Sequence, residues 1–321
     1  MKLHPLSFFS FLGFSFLGLA GLFLMSCESE NEPLPNSSPK LRFEFKFDKE
    51  QARLNNLAEP SVIPEGNAAQ TPLFNAMSIH YLEFAPSAYT ALGAGQVLYF
   101  NEELPSQKNG FRTAIDFSKA IVSEEGKVFL EIPLSELQAG RYEWVRASVS
   151  YQNYDIKFNL KNIPIGSEMI DLDGQVGTLA SFLGYNTHIT THQVKQEIIT
   201  VNDDKKQGFW AFESEISLPA YNFSRRQVSV GESAGTTVVN PLAATSPIPA
   251  GSCVITGAFA QPLEISGNES QDIHIVLSFS IKESFEWRDT NANGEWDIDI
   301  QSNYAEPVVD MGLRGLQVKR K

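Results

Sequence analysis

From residue 41 onward the chain alternates apolar and polar side chains, and this period constrains the fold more than any other feature. The apolar positions of the first stretch are Leu41, Phe43, Phe45 and Phe47, with a charged residue between each pair. A period of two is what a β-strand with one buried face requires. Similar stretches recur at 127–134, 141–151, 197–201, 209–218, 254–259 and 272–281. The chain is therefore predicted to be all-β.

Turn-forming residues separate these stretches, for example at 125–126, 202–204 and 266–268. Their spacing is typical of antiparallel sandwiches. Residues 41–321 are thus predicted to form a β-sandwich domain, either one elaborated sandwich or two packed β modules. Pro164, Gly166 and Gly174 mark a possible subdivision near 160–175. Helical signals are weak, and only 48–57 and 134–137 could each form a short helix or turn.

The first 26 residues have the layout of a bacterial lipoprotein signal peptide. Lys2 precedes a Phe-rich apolar stretch, and Leu24-Met25-Ser26-Cys27 has the form of a lipobox. Cleavage before Cys27 would leave this residue as the lipidation site, and two or three acyl chains hold a protein durably on a membrane. A signal anchor is the alternative, because the apolar stretch is about long enough to cross a bilayer.

Residues 27–40 follow as a flexible tether that is first acidic and then rich in Pro, Asn and Ser. The acidic patch at 28–32, directly after Cys27, resembles the surface-export signal of Bacteroidota lipoproteins. The whole chain, including its ending at 308–316, also resembles uncharacterised lipoproteins of these bacteria. The resemblance implies a lipid-anchored outer-membrane protein that is exposed at the cell surface, with a periplasm-facing position as the alternative.

Charge and cysteine content narrow the range of partners. Removing residues 1–26 takes away Lys2 and no acid, so 24 basic and 38 acidic residues remain, a net charge of −14. Nucleic acid is excluded as a partner, because phosphate binding depends on clustered Lys and Arg. Cys253 has no intramolecular partner once Cys27 carries lipid, so it is predicted to be a buried small apolar residue rather than part of a disulfide.

The segment 289–299 is the best metal candidate. Oxygen-bearing side chains stand at its positions 1, 3, 5 and 9 with Gly294 at position 6, the pattern of a calcium loop. The predicted Ca²⁺ ligands are Asp289, Asn291, Asn293, Glu295 (through its carbonyl), Asp297 and Asp299. Position 12 is Ile300, so Asp299 or Glu306 is the candidate for the missing acid. The alternative is a hairpin whose Asn and Asp side chains cap their own backbone.

A second motif, Gly231-Glu232-Ser233-Ala234-Gly235, fits the G-x-S-x-G nucleophile elbow of α/β-hydrolases. The following residues are β-branched and end in Pro241, which disfavours the helix that the elbow requires. His274 is the only histidine downstream, and its candidate acids are close to it in sequence. A chance match is predicted, and a serine hydrolase that uses Ser233 is the alternative.

Two stretches resemble MbnP-like copper-associated proteins in their paired strands and their small-Gly-x-Tyr turn. They are FNAMSIHYLEF at 74–84 and IPLSELQAGRYEWV at 132–145. The resemblance implies an extracytoplasmic β-sandwich and a role in copper binding, with His80 as the histidine to test first. His188 and His192 are predicted to be strand residues, because four residues of strand span about 13 Å, too far for one ion.

Aromatic side chains are the remaining candidates for ligand binding. If they were exposed in a cluster, they would stack on sugars. In the strand at 209–212, however, side chains alternate between two faces, and at least one of these faces must point to the core. Core packing is therefore predicted for the aromatic residues. Together these features predict a non-catalytic, calcium-stabilised surface lipoprotein. Its predicted partners are the membrane, reached through the lipid, and an outer-membrane protein or a glycan.

Overall fold

The computed structural model describes residues 38–233 and 240–321, which contain twenty β-strands. The first ten are β1 (Lys40–Asp48), β2 (Asn67–Gln70), β3 (Leu73–Ala85), β4 (Gln96–Phe100), β5 (Glu103–Pro105), β6 (Thr113–Asp116), β7 (Val128–Pro133), β8 (Gly140–Ile165), β9 (Glu168–Phe182) and β10 (Asn186–Gln193). The others are β11 (Ile198–Lys206), β12 (Phe209–Leu218), β13 (Phe223–Glu232), β14 (Cys253–Ile265), β15 (Ile273–Ser280), β16 (Phe285–Arg288), β17 (Asp297–Asp299), β18 (Tyr304–Ala305), β19 (Val308–Asp310) and β20 (Leu316–Arg320).

Helical structure in the described residues is limited to single 3-10 turns, at Phe117–Lys119, Leu134–Glu136, Pro219–Tyr221 and Ala243–Thr245. Both segments expected to form a short helix or turn contain a turn: 134–137 includes a 3-10 turn, and 48–57 has no helix but a turn at 56–57. No helix in the described part of the chain is long and apolar enough to cross a membrane. Cys27, the predicted signal peptide and most of the predicted tether lie outside the described residues.

The strands form three sheets that pack in a sandwich-like arrangement, which confirms the all-β prediction. The largest has the order β13-β12-β9-β8-β14-β20-β15-β1-β7, and β3 and β17 also pair with β8. The smaller sheets have the orders β11-β10-β6-β5 and β19-β16-β2. Several pairs are parallel, including β1 with β15 and β17 with β8. The two larger sheets are therefore mixed, while β19-β16-β2 is antiparallel. Alternation could not show this difference, since the period is two for either strand direction.

Strand β8 is the centre of the fold, because its 26 residues pair with β3, β9, β14 and β17. The possible subdivision near 160–175 falls in the hairpin between β8 and β9. That hairpin turns at Gly166, whose φ of 63° suits glycine. Residues Ser38–Lys321 form one compact unit.

The main core lies beneath β1, whose apolar positions are buried as the alternation predicted. Leu41, Phe43 and Phe45 are at most 1% exposed, and the Phe45 ring stacks on Phe129 with centroids 4.0 Å apart. Cys253 is also buried at the start of β14, and burial raises the pKa of its thiol to about 12. The thiol therefore stays protonated and packs as an apolar side chain.

Candidate functional site

The acidic loop, residues 289–297, joins β16 to β17 and folds back on its own backbone. The Asp289 carboxylate accepts hydrogen bonds from the backbone N–H groups of Asn293 (3.2 Å) and Gly294 (2.9 Å). The Asn293 side-chain oxygen accepts one from the N–H of Glu295 at 2.8 Å. Gly294 has a φ of 74°, so the tight turn uses the conformational freedom expected at position 6.

Three predicted ligands converge within this loop. The Nδ2 atoms of Asn291 and Asn293 both donate to Oδ2 of Asp297, at 2.6 and 2.8 Å. Asp297 is only 7% exposed. Rotating either amide by half a turn exchanges its nitrogen for its oxygen, which would direct oxygen atoms to the same region. The loop can therefore offer several oxygen ligands to a hard cation.

Glu306 closes the acidic loop from the β18–β19 connection. Its Oε1 accepts from the backbone N–H of Thr290 at 2.7 Å and from the Thr290 hydroxyl at 2.9 Å. Its Oε2 accepts from the N–H of Asp297 at 3.1 Å, and the residue is 2% exposed. Of the two candidates for the missing acid, Glu306 is thus the one whose carboxylate contacts both ends of the loop.

Asp299 uses its carboxylate outside the loop. It accepts from Ser302 N–H at 2.8 Å and from Asn162 Nδ2 at 2.7 Å, and these hydrogen bonds lower its pKa. It still borders a polar cavity of about 360 Å³ together with Asn291, Asn293 and Asp297. Asp299 therefore lies beside the converging set, with both carboxylate oxygens engaged elsewhere.

Asn159 on β8 is a site residue that sequence reasoning missed. Its Nδ2 donates to Glu295 Oε2 at 2.7 Å and to Asp297 Oδ1 at 2.9 Å, while its Oδ1 accepts from Gly174 N–H at 2.8 Å. It reaches the loop because β17 pairs in parallel with β8, with Asp297 opposite Asn159. No local signal could have identified it, since the contact joins residues 138 positions apart.

The donor set of the loop is mixed rather than purely acidic. Within residues 38–233 and 240–321, no three His, Cys, Asp or Glu side chains are grouped so that they could hold a metal ion. The loop combines the carboxylates of Asp289 and Asp297 with two side-chain amides and the Glu295 carbonyl. Ca²⁺ accepts such a mixture of oxygens, whereas Zn²⁺ and copper prefer nitrogen and sulfur.

An aromatic pocket of about 320 Å³ adjoins this loop. Most of its lining is apolar and comes from β9, β12, β16 and the segment 296–311, including Leu179, Trp210, Phe212, Phe285, Trp296 and Met311. The ring of Trp296 meets Phe285 at 70° and Phe212 at 82°, with centroids 5.0 and 6.1 Å apart. Trp296 Nε1 donates to the carbonyl of Glu306 at 3.0 Å. Trp296 of the acidic loop and Glu306, which contacts the loop, therefore both line the pocket.

Glycines opposite β12 make room for two of the pocket's rings. Gly231 on β13 is the cross-strand partner of Trp210, and a Cβ there would lie 2.4 Å from Trp210 Cζ2. A Cβ on Gly177 of β9 would lie 2.2 Å from Cζ of Phe212. Trp210 and Phe212 are half-buried at the main core, while Phe209 on the other face is buried in a second cluster. The first glycine of G-x-S-x-G thus has a packing role.

The surroundings of Ser233 do not favour a nucleophile elbow. Ser233 follows edge strand β13 and lines the aromatic pocket, and its N–H donates to the carbonyl of Gly208 at 2.8 Å. Ala234 and Gly235, the rest of the motif, lie outside the described residues. His274 is on β15, six strand positions from β13 in the large sheet. No histidine is found among the described residues that line the pocket.

His80 is buried within β3 and contacts few polar groups. Its Nδ1 lies 3.1 Å from Ser148 Oγ, and its Nε2 lies 3.7 Å from Glu103 Oε1. The rings of Phe100 and Tyr185 lie 5.3 and 5.9 Å from the imidazole. Burial lowers the pKa of His80, so the ring is neutral near pH 7. Copper binding at His80 stays a prediction, and weaker copper retention in a His80→Ala variant would support it.

His188 and His192 both lie on β10 but in different surroundings. His188 Nδ1 pairs with Asp204 Oδ1 at 2.7 Å. The His192 ring is 5% exposed and meets the rings of Phe117, Phe182 and Phe209. Desolvation in this apolar cluster lowers the pKa of His192 to about 4. His192 is therefore a core residue held in its neutral form.

This burial predicts a specific loss of stability in acid. Because the pKa of His192 lies below its unfolded value of 6.5, the unfolded chain binds the proton more tightly between these two values. The free energy of unfolding should therefore fall as pH drops from 6.5 towards 4, with about 2–3 kcal/mol of the loss due to His192. Urea unfolding at several pH values should show a smaller loss for His192→Leu. Parallel pH curves for the two proteins would contradict the prediction.

Comparison with protein-family models, with curated proteins and with solved structures found no match.

Proposed function

We propose that this chain is a non-catalytic ligand-binding protein, anchored to the outer membrane through Cys27 and stabilised by one Ca²⁺ in the acidic loop. One observation carries the proposal: Trp296 of the acidic loop and Glu306, which binds the loop backbone, both line the aromatic pocket. An ion that orders the loop would fix both residues, and with them one wall of the pocket. The cell-surface position is supported by the lipobox and by the acidic residues that follow it.

The charge of the acidic loop supports a bound cation. Asp289, Asp297 and Glu306 surround one short segment, and both Asp297 and Glu306 are buried. Neighbouring carboxylates repel each other at low effective dielectric, and a divalent cation removes this cost. Ca²⁺ suits the loop because it accepts six to eight oxygen ligands in irregular geometry. Water from the adjoining polar cavity can complete its coordination.

The pocket supports binding rather than catalysis. Its lining is mostly aromatic and aliphatic, and the described polar residues in it are Ser229, Ser233 and Glu306. The described lining contains no histidine, and Glu306 has its carboxylate engaged by the loop backbone. Its volume of about 320 Å³ is at the lower end of small-molecule sites. We therefore assign the pocket to a compact ligand.

Calcium is expected to stabilise the folded protein. At a free concentration of one hundred times Kd, the ion should add about 2.7 kcal/mol to the free energy of unfolding, and Tm should rise by several degrees. Thermal unfolding in Ca²⁺ and in EDTA measures this difference. Asp289→Ala should abolish it, because the mutation removes the carboxylate that orders Asn293 and Gly294.

Asp173→Ala is the matched control, because its exposed carboxylate pairs with Lys161 rather than with the acidic loop. This variant should keep the full calcium response. Equal Tm values in Ca²⁺ and EDTA for the unmutated protein would contradict the proposal, and the loop would then be a turn capped by its own side chains.

A further inference from the structure

We propose that the ligand of the aromatic pocket carries an alkylated ammonium group, of which a quaternary amine is the simplest form. This inference rests on the proposed ligand-binding function and adds the chemical class of the ligand. Three properties of the pocket carry it: the arrangement of its rings, the sign of the charge beside it, and the shortage of hydrogen-bonding groups in its lining.

The rings supply walls at steep angles to one another. Trp296 meets Phe285 at 70° and Phe212 at 82°, and Trp210 stands two residues before Phe212 on the same face of β12. Ring faces carry negative electrostatic potential, so a cation near several faces is attracted by each of them. Two of the four residues are tryptophan, the side chain that interacts best with cations. Aromatic side chains therefore make up much of the pocket lining, and such a lining favours a cation over an anion.

The charged side chains beside the pocket are acidic, and negative charge favours a cationic ligand. Glu306 is 2% exposed and lines the pocket, and no Lys, Arg or His is among the described residues of the lining. The three negative charges of Asp289, Asp297 and Glu306 exceed the two positive charges of one Ca²⁺. The region therefore keeps a net negative charge with calcium bound. Carboxylate and phosphate ligands are disfavoured, because no cation in the lining could pair with them.

The shortage of polar groups selects against sugars. A pyranose has several hydroxyl groups, and each one buried without a partner costs about 1–3 kcal/mol. Besides the indole N–H groups of Trp210 and Trp296, the described lining offers polar side chains only at Ser229, Ser233 and Glu306. The Trp296 N–H is engaged by a carbonyl, and the Glu306 carboxylate already accepts three hydrogen bonds from the loop. A quaternary ammonium group has a charge and an apolar surface but no hydrogen-bond donor. It therefore leaves no polar atom unpaired in such a pocket.

A pair of nearly isosteric probes tests the inference. Choline and 3,3-dimethyl-1-butanol have similar shapes, but only choline is charged. Titration of each into the calcium-loaded protein, followed by calorimetry, should give a Kd for choline that is roughly tenfold or more lower. Trp210→Leu should remove this preference, since it replaces an aromatic wall with an aliphatic side chain. Trp144→Leu is the control, because Trp144 lies outside the pocket, and it should keep the preference.

The outcomes distinguish a failure of the ammonium assignment from a failure of the proposed ligand-binding function. Equal binding of the two probes would overturn the ammonium assignment while leaving a ligand-binding apolar pocket. Failure of both probes to bind at millimolar concentration would overturn the assignment and remove the support for a ligand in this pocket. A choline preference that survives Trp210→Leu would also overturn it, because the cation would then bind elsewhere.

Discussion

Replacing Glu286 with alanine is expected to lower the free energy of unfolding by about 3–5 kcal/mol, because it leaves the buried Arg53 without its carboxylate partner. Glu286 lies on β16 and is paired with Arg53, and it also accepts from Asn67 Nδ2 at 2.7 Å. Arg314 lies 3.7 Å away and pairs with Asp310 at 2.5 Å. The side chains of Glu286, Arg53 and Arg314 are all at most 11% exposed. Chemical unfolding measures the effect.

The network also positions the pocket, since Phe285 is adjacent to Glu286 and lines it. Glu264→Ala is the matched control, because Glu264 is exposed and lies 3.7 Å from the exposed Arg141. Exposed pairs typically contribute below about 1 kcal/mol, so this variant should unfold close to the parent protein. Equal small effects for the two glutamate variants would show that the buried network is not stabilising.

Trp296→Ala is the second substitution with a large expected effect, again about 3–5 kcal/mol of unfolding free energy. The indole is 9% exposed and packs against Phe158, Phe212 and Phe285, so alanine would leave a cavity. The change also removes the hydrogen bond to the Glu306 carbonyl. We therefore expect a smaller calcium-dependent rise in Tm together with the loss of stability.

Trp296→Phe separates the two contributions. Phenylalanine keeps most of the apolar volume but lacks the N–H donor. Trp296→Phe should therefore recover more than half of the unfolding free energy that Trp296→Ala loses, but a smaller share of the calcium-dependent rise in Tm. Chemical and thermal unfolding of both variants, each with calcium and with EDTA, give the comparison. If Trp296→Ala retained parental stability and the full calcium response, Trp296 could not be the link between pocket and loop.

The strand pattern could be predicted where one face is apolar and the other polar. The predicted stretch at 209–218 coincides with β12, and β1 begins and ends within one residue of the alternation seen at 41–48. Strand β13 did not show this pattern, because as an exposed edge strand it has little apolar surface to bury. The parallel pairing of β1 with β15 was also beyond prediction, since it joins segments more than two hundred residues apart.

The candidate site was likewise predictable only in part. The spacing of Asp289, Asn291, Asn293 and Asp297 predicted a loop that turns on Gly294, and the structure has such a turn. Asn159 depends on a strand pairing that no local spacing reveals. The pocket depends on glycines of two other strands lying under the rings of β12. Such contacts arise from sheet order, so they become visible only in three dimensions.

If one Ca²⁺ in the acidic loop fixes the aromatic pocket, the indole N–H signals of the four tryptophans should report its binding. A calcium titration followed by ¹H–¹⁵N NMR would resolve these signals, and Trp→Phe variants would assign them. We expect the Trp296 and Trp210 signals to shift and saturate together at one ion per chain, while the Trp144 signal stays in place. Unchanged Trp296 and Trp210 signals at saturating calcium would contradict it.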